Sequence, residues 1–155
     1  MNDIDITIRL IFLAHVAATL YMTGLIWFVQ IVHYPLLAAT GRAEFSAYEK
    51  RHMSLTTWVV MPPMLVEIAT AVLLFWFRPA DVASWQVWSG VILLAVIWLS
   101  TAFLQVPCHE KLANGFDAEV QQRLVATNWI RTIAWTLRGL LVLSMIWNTW
   151  AVTKW

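Results

Sequence analysis

The sequence predicts an all-α fold: a four-helix integral membrane bundle whose second and fourth helices extend beyond the bilayer. Three observations predict it. The first is composition. Of 155 residues, 61% are hydrophobic and 12% charged, with a mean hydropathy of +0.69. A soluble domain carries about 45–50% apolar and about 25% charged residues. At this size it would still expose roughly 30% of its unfolded surface, so the apolar excess has no hiding place in water. The second is distribution: the apolar residues gather in four stretches, 8–39, 56–77, 87–106 and 127–152. Each reaches the roughly 20 residues needed to cross about 30 Å of hydrocarbon. The third is the lack of strand-like alternation. In lipid each segment must satisfy its own backbone polar groups, which a helix does.

These numbers exclude a soluble enzyme, a nucleic-acid binder and a disordered adaptor. A net charge of +1 implies no polyanionic partner. One cysteine excludes an intramolecular disulfide and a thiolate metal cluster. The chain reads as one membrane domain, 1–155, with helices over about 6–39, 43–77, 83–106 and 118–152.

The first helix begins after Asp3 and Asp5. A cleaved signal peptide would carry positive charge there, so this helix is expected to be retained. Residues 41–55 form an amphipathic lead into the second helix, with Phe45, Tyr48, His52 and Leu55 at helical spacing on the expected inner face. Pro62-Pro63 is expected to break that helix midway, freeing carbonyls and shaping a cavity. Arg78-Pro79-Ala80-Asp81 is a short turn. In Asn114-Gly115-Phe116-Asp117, glycine suits a helix stop and aspartate a new N-cap. Residues 118–126 then carry the fourth helix outward.

Four spans put both termini on one side. The terminal side carries Arg9, Arg78 and Lys154, and the loop side Arg42, Lys50, Arg51, Lys111 and Arg123. The positive-inside rule then places the loop side in the cytoplasm, and a bacterial inner membrane is the expected location.

Polar groups within lipid are costly, so they face the bundle interior and mark sites. His15 and His33 share a face of the first helix with Gln30. Tyr48, His52 and Glu67 lie on one side of the second. Trp98, Thr101 and Gln105 lead to His109 on the third, and Asn128, Arg131, Trp135 and Arg138 recur at 3,4,3 spacing on the fourth. Counting about 1.5 Å per residue from the terminal side, His33 and His52 fall at ~37 Å, and His109 and Asn128 at ~32 Å. Glu67 and Arg138 fall at ~15 Å and His15 at ~10 Å. Two polar layers result.

In the deeper layer, Glu67 and Arg138 read as a structural ion pair with His15 nearby, because either charge alone in lipid is costly. The alternative is proton handling by His15 and Glu67. In the loop-side layer, His33, His52 and His109 come from three helices. They read as metal ligands, as acid–base groups, or as interfacial histidines with ordinary hydrogen bonds. No His-x-x-x-His or His-x-x-Glu pair falls on one helix. Iron or copper would suit imidazole, and haem is the lesser option. Cys108 beside Pro107 reads as a small apolar filler. Trp85, Trp88, Trp147, Trp150 and Trp155 form a terminal-side interfacial belt. Trp27, Trp58, Trp76, Trp98, Trp129 and Trp135 are spread along the spans, where some can stack on a planar ligand.

Gln-Val-Pro-Cys-His-Glu-Lys-Leu-Ala-Asn-Gly (105–115) and Thr-Asn-Trp-Ile-Arg-Thr-Ile-Ala-Trp (127–135) resemble the anthrone oxygenase-like family of small four-helix membrane proteins. The matching positions are Gln105, Pro107, His109, Asn128, Arg131 and Thr132. Gly24 and Tyr34-Pro35-Leu36 are similar to the family's first helix. Gln105 and His109 stand where the family has Asn. The resemblance implies oxidation of a planar anthrone to a quinone by dioxygen.

The expected function is therefore oxidoreductase-like, on a small hydrophobic anthrone- or quinone-like molecule near one membrane interface. His33, His52 and His109 would bind a metal or supply a base. Arg131 would hold charge on an enolate-like oxygen, and Tyr48 would donate a proton. Gln30, Gln105, Asn128, Trp98 and Trp135 would bind or orient the substrate. Alternatives are a haem-binding or electron-carrier subunit, and a transporter or accessory protein without catalysis. The narrow core also leaves room for a homodimer.

Overall fold

The computed structural model describes residues 3–152, with side chains through Trp150. Lys154 and Trp155, counted above with the terminal-side cations and tryptophans, lie outside the described residues. The described residues are mostly helical, without strands. Four helices are long and apolar enough to cross a membrane: α1 (Asp3–Leu37), α2 (Phe45–Leu73), α3 (Ser84–Leu112) and α4 (Ala118–Val152). The helix α1 packs along both α2 and α4, and α3 packs along α4. By contrast α2 and α3 touch over few residues.

Side chains sort into alternating layers along the bundle. Near the termini an apolar layer joins Phe12, Val16, Leu74, Val87, Val142 and Met145. A middle layer joins Met22, Ile26, Met64, Ile97, Ala134 and Trp135. The third joins Tyr34, Leu37, Phe45, Cys108, Leu112 and Leu124. Cys108 is thus the buried apolar filler expected of it. Buried polar residues fill the two gaps: His15, Thr19, Glu67, Thr70 and Arg138 in one, Gln30, Glu49, Asn128 and Arg131 in the other. The outer face is apolar, with Trp58, Trp76, Phe103 and Trp147 among its most exposed side chains.

Two helices carry a wide turn just before a proline. Val29–His33 is π-helical and Pro35 follows; Thr101–Gln105 is π-helical and Pro107 follows. A proline ring clashes with the carbonyl four residues back and offers no N–H. A turn widened by one residue makes room for it and redirects the side chains beyond. Because the α-helical turn restarts at the proline, α3 runs on to Leu112 and does not stop at residue 106, as the sequence had suggested.

Another correction concerns α2, which is continuous from Phe45 through Pro62 and Pro63 to Leu73, with no break. Residues 74–77 form turns rather than its last helical residues. The connections behave as expected. Gly115 has φ +146°, a conformation that side chains oppose. The Asp117 carboxylate accepts from the backbone N–H groups of Glu119 and Val120 at 2.9 and 3.1 Å, capping α4. The Arg78 turn is pinned by donation to the Phe75 and Val82 carbonyls at 3.1 Å.

Candidate functional site

A cavity of about 380 Å³ lies between α2 and α3, backed by α1 and α4. Met22, Ile26, Val60, Met64 and the rings of Trp98 and Trp135 supply its apolar wall. Its polar lining includes His33, Tyr34, His52, Gln105, His109 and Arg131, with Thr56, Thr57 and Thr101 beside them.

The π-helical turn of α1 delivers His33 and Tyr34 side by side. His33 Nε2 lies 3.0 Å from His52 Nδ1, which also lies 3.0 Å from the Thr56 hydroxyl. Tyr34 Oη lies 2.9 Å from His109 Nε2 and accepts from Arg131 Nη2 at 3.0 Å. The other ring nitrogen of His109 meets Glu49 Oε1 at 2.5 Å. Glu49 is fully buried.

Arg131 is held from behind. Asn128 Oδ1 accepts from its Nε and Nη2 at 2.9 and 2.5 Å. Asn128 Nδ2 in turn donates to Gln30 Oε1 at 2.8 Å, and Gln30 Nε2 donates to the Val125 carbonyl at 3.2 Å. This fixes the guanidinium where it faces Tyr34, with Nη1 3.4 Å from Thr101 Oγ1. Gln105 is fixed by accepting from Ser100 at 3.0 Å and donating to Thr127 at 3.2 Å.

The expected groups sort as follows. His33, His52, His109 and Arg131 all line the cavity, as do Gln105, Trp98 and Trp135. Gln30 and Asn128 do not; both are buried behind Arg131 and position it. Tyr48 is exposed and its ring stacks parallel to His52 at 6.5 Å. The tyrosine in the cavity is Tyr34. Of the three expected metal ligands, His52 and His109 group with Glu49, while His33 stands behind His52.

Glu49 is the residue the sequence reading missed. The lead into α2 buries Phe45 and Glu49 and leaves Tyr48 and Leu55 exposed, so the inner face is rotated from the one expected. A signal was present in Glu49-x-x-His52, which puts two ligand-type side chains one turn apart on one face.

The deeper layer is a closed network. Arg138 Nη2 and Nε donate to Glu67 Oε1 at 3.0 and 3.2 Å. Thr19 donates to the same oxygen at 3.0 Å, and Trp135 Nε1 donates to Oε2 at 3.0 Å. Arg138 Nη1 donates to the Gly90 carbonyl at 2.5 Å. His15 bonds Thr70 at 2.9 Å rather than Glu67. Neither Glu67 nor Arg138 lines the cavity, whose floor is Trp135. Among the described residues, two buried side-chain polar atoms have no partner: Glu49 Oε2 and Trp98 Nε1.

No protein-family model, no curated protein and no solved structure matches this chain.

Proposed function

We propose that the chain is an integral membrane oxidoreductase acting on a small, planar, enolisable hydrophobic molecule of the anthrone or quinol kind. One observation carries the reading: an apolar cavity of about 380 Å³ that ends in the histidine cluster and the Arg131–Tyr34 pair. The four apolar helices cross the bilayer, with the outer ends of α2 and α4 projecting on the loop side. The surplus of loop-side cations favours a cytoplasmic loop side. The few contacts between α2 and α3 give an apolar molecule a path from the lipid to the cavity.

The chemistry follows from which charges form. Loss of a proton from an anthrone's CH2 group moves an electron pair through the conjugated rings to the ketone oxygen opposite. The proton passes to the His33–His52 pair, which lines the cavity. Arg131 and Tyr34 hold the oxygen's negative charge, and their placement in advance by Asn128 and Gln30 avoids reorganisation during the reaction. The electron-rich carbon then reduces dioxygen: one CH2 and one O2 give one carbonyl and one water. Trp98, partly exposed on the cavity wall, offers a flat face to a ring system, and the buried Trp135 closes the cavity beneath it. The unpartnered Trp98 N–H suits an oxygen acceptor on that ring.

The other readings fit less well. A haem between two axial histidines needs a slot for the macrocycle, whereas the His33 and His52 nitrogens meet at 3.0 Å. A transport path through both polar layers would have to pass Trp135, which is completely buried.

The test uses full-length protein in lipid nanodiscs with a panel of anthrones and quinols. Ligand binding is read by tryptophan fluorescence, and turnover by dioxygen uptake and quinone absorbance. Binding with turnover that Arg131→Gln and His33→Ala reduce is the expected result. No binding and no turnover across the panel would overturn the proposal.

A further inference from the structure

We propose that Glu49, His52 and His109 form a site for one divalent first-row transition-metal ion, of the class that a two-histidine, one-carboxylate set holds: ferrous iron. The inference shares residues with the site above but does not depend on its substrate.

The first argument is convergence. Glu49 and His52 lie one turn apart on α2 and His109 comes from α3, and each offers one ligand atom within 4.8 Å of the others. The second is an unmet need. Glu49 is completely buried, its Oε1 meets His109, and its Oε2 has no partner. An ionised carboxylate accepts up to about four hydrogen bonds, and no protein donor supplies the rest. A cation satisfies what the protein leaves open.

Outer support is the third argument. Metal-bound histidines almost always engage their second nitrogen, which fixes the ring. His52 Nδ1 is engaged by His33 and Thr56, leaving Nε2 for the ion. His109 can ligate through Nδ1 while Nε2 stays on Tyr34. Glu49 Oε1 and His109 Nδ1, now 2.5 Å apart, then separate to share the ion. Two ligand atoms each about 2.1 Å from one ion sit about 3 Å apart, so the movement is small. His33, expected to be a ligand, becomes the group that orients one.

Ligand type selects the ion. Two imidazoles and one carboxylate suit iron, manganese, cobalt or zinc better than magnesium or calcium, and this set with open positions marks non-haem ferrous sites. His52 and His109 line the cavity and Glu49 does not, so the open positions face the cavity. A small molecule such as dioxygen can bind there.

The test uses the full chain, purified without a histidine tag and stripped with chelator. It is titrated under anaerobic conditions with ferrous iron, and separately with Co2+ as an optical probe. Nitric oxide added to the iron form reads open positions by electron paramagnetic resonance. One equivalent of each metal per chain is expected, with a half-integer iron–nitrosyl signal. Glu49→Gln and His52→Ala should abolish stoichiometric binding, His33→Ala should weaken it about 10–100-fold, and His15→Ala should leave it unchanged. Absence of stoichiometric binding by wild-type protein overturns the site whatever the variants do. So does binding that survives both Glu49→Gln and His52→Ala in folded protein. Metal binding without turnover sinks the substrate reading alone, and turnover by protein that binds no metal sinks the metal site alone.

Discussion

Removing Arg138 while leaving Glu67 tests what holds the bundle together. Both side chains are at most 1% exposed, and Glu67 Oε1 takes two of its three donors from Arg138. In Arg138→Met the carboxylate keeps only Thr19 and Trp135, with no counter-charge. Breaking a buried pair by removing one partner costs about 3–5 kcal/mol. At about 2–4 °C per kcal/mol for a chain of this size, that lowers the melting temperature by about 6–20 °C. The double variant Glu67→Gln/Arg138→Met removes the stranded charge; its amide oxygen can still accept from Trp135, and its NH2 group can donate to the Thr19 hydroxyl. Replacing a whole buried pair is often neutral, so the double variant should recover more than half of the loss. The assay is thermal unfolding in one detergent, followed by circular dichroism. A loss under about 1 kcal/mol in Arg138→Met, or a double variant no more stable than the single one, would refute the view that this pair locks the helices.

Three further predictions concern separate sites. Tyr34→Phe strips a partner from both His109 and Arg131, which should cost about 1–3 kcal/mol and reduce turnover, whereas Tyr48→Phe on the exposed face should stay within about 0.5 kcal/mol; paired melts and turnover assays check both. Asn128→Leu releases Arg131 from behind, so ligand affinity by fluorescence should fall in it as in Arg131→Gln, and the two changes combined should do little more than one. Gly90→Ala meets only ordinary contacts at 3.6 Å and should be as stable as wild type or more so. Gly139→Ala sets a Cβ 3.1 Å from the Thr23 hydroxyl that donates to the Trp135 carbonyl, so it should melt lower.

Much of this architecture was legible because a chain this apolar has a simple code. Apolar runs of sufficient length reveal the helices, and rare polar residues reveal the inner faces. The Glu67–Arg138 pair and the meeting of His33, His52 and His109 were readable from shared helix faces, the cost of a lone buried charge and the rise per residue taken together. Glu49 was not. It sits in the charged stretch Glu44–Arg51, where a carboxylate looks like a solvent-facing residue, and only the packing of Phe45 shows which way that turn faces. The rotation also explains why Tyr48 was favoured over Tyr34. Pro62-Pro63 misled in the opposite direction, because helices embedded among apolar neighbours tolerate prolines that would end a helix in water. The wide turns were invisible, since nothing in hydrophobic periodicity marks one extra residue.

Those wide turns have a consequence for how such a site arises and fails. One residue corresponds to about 100° of helical rotation. Deleting one residue from 29–32 would swing Tyr34 and everything beyond it away from His109. A deletion in 101–105 would do the same to His109 itself. The histidines would all survive in the sequence, and the site would be gone. Lineages of such a chain can therefore gain or lose the chemistry through a single-codon insertion or deletion, with each ligand residue left intact.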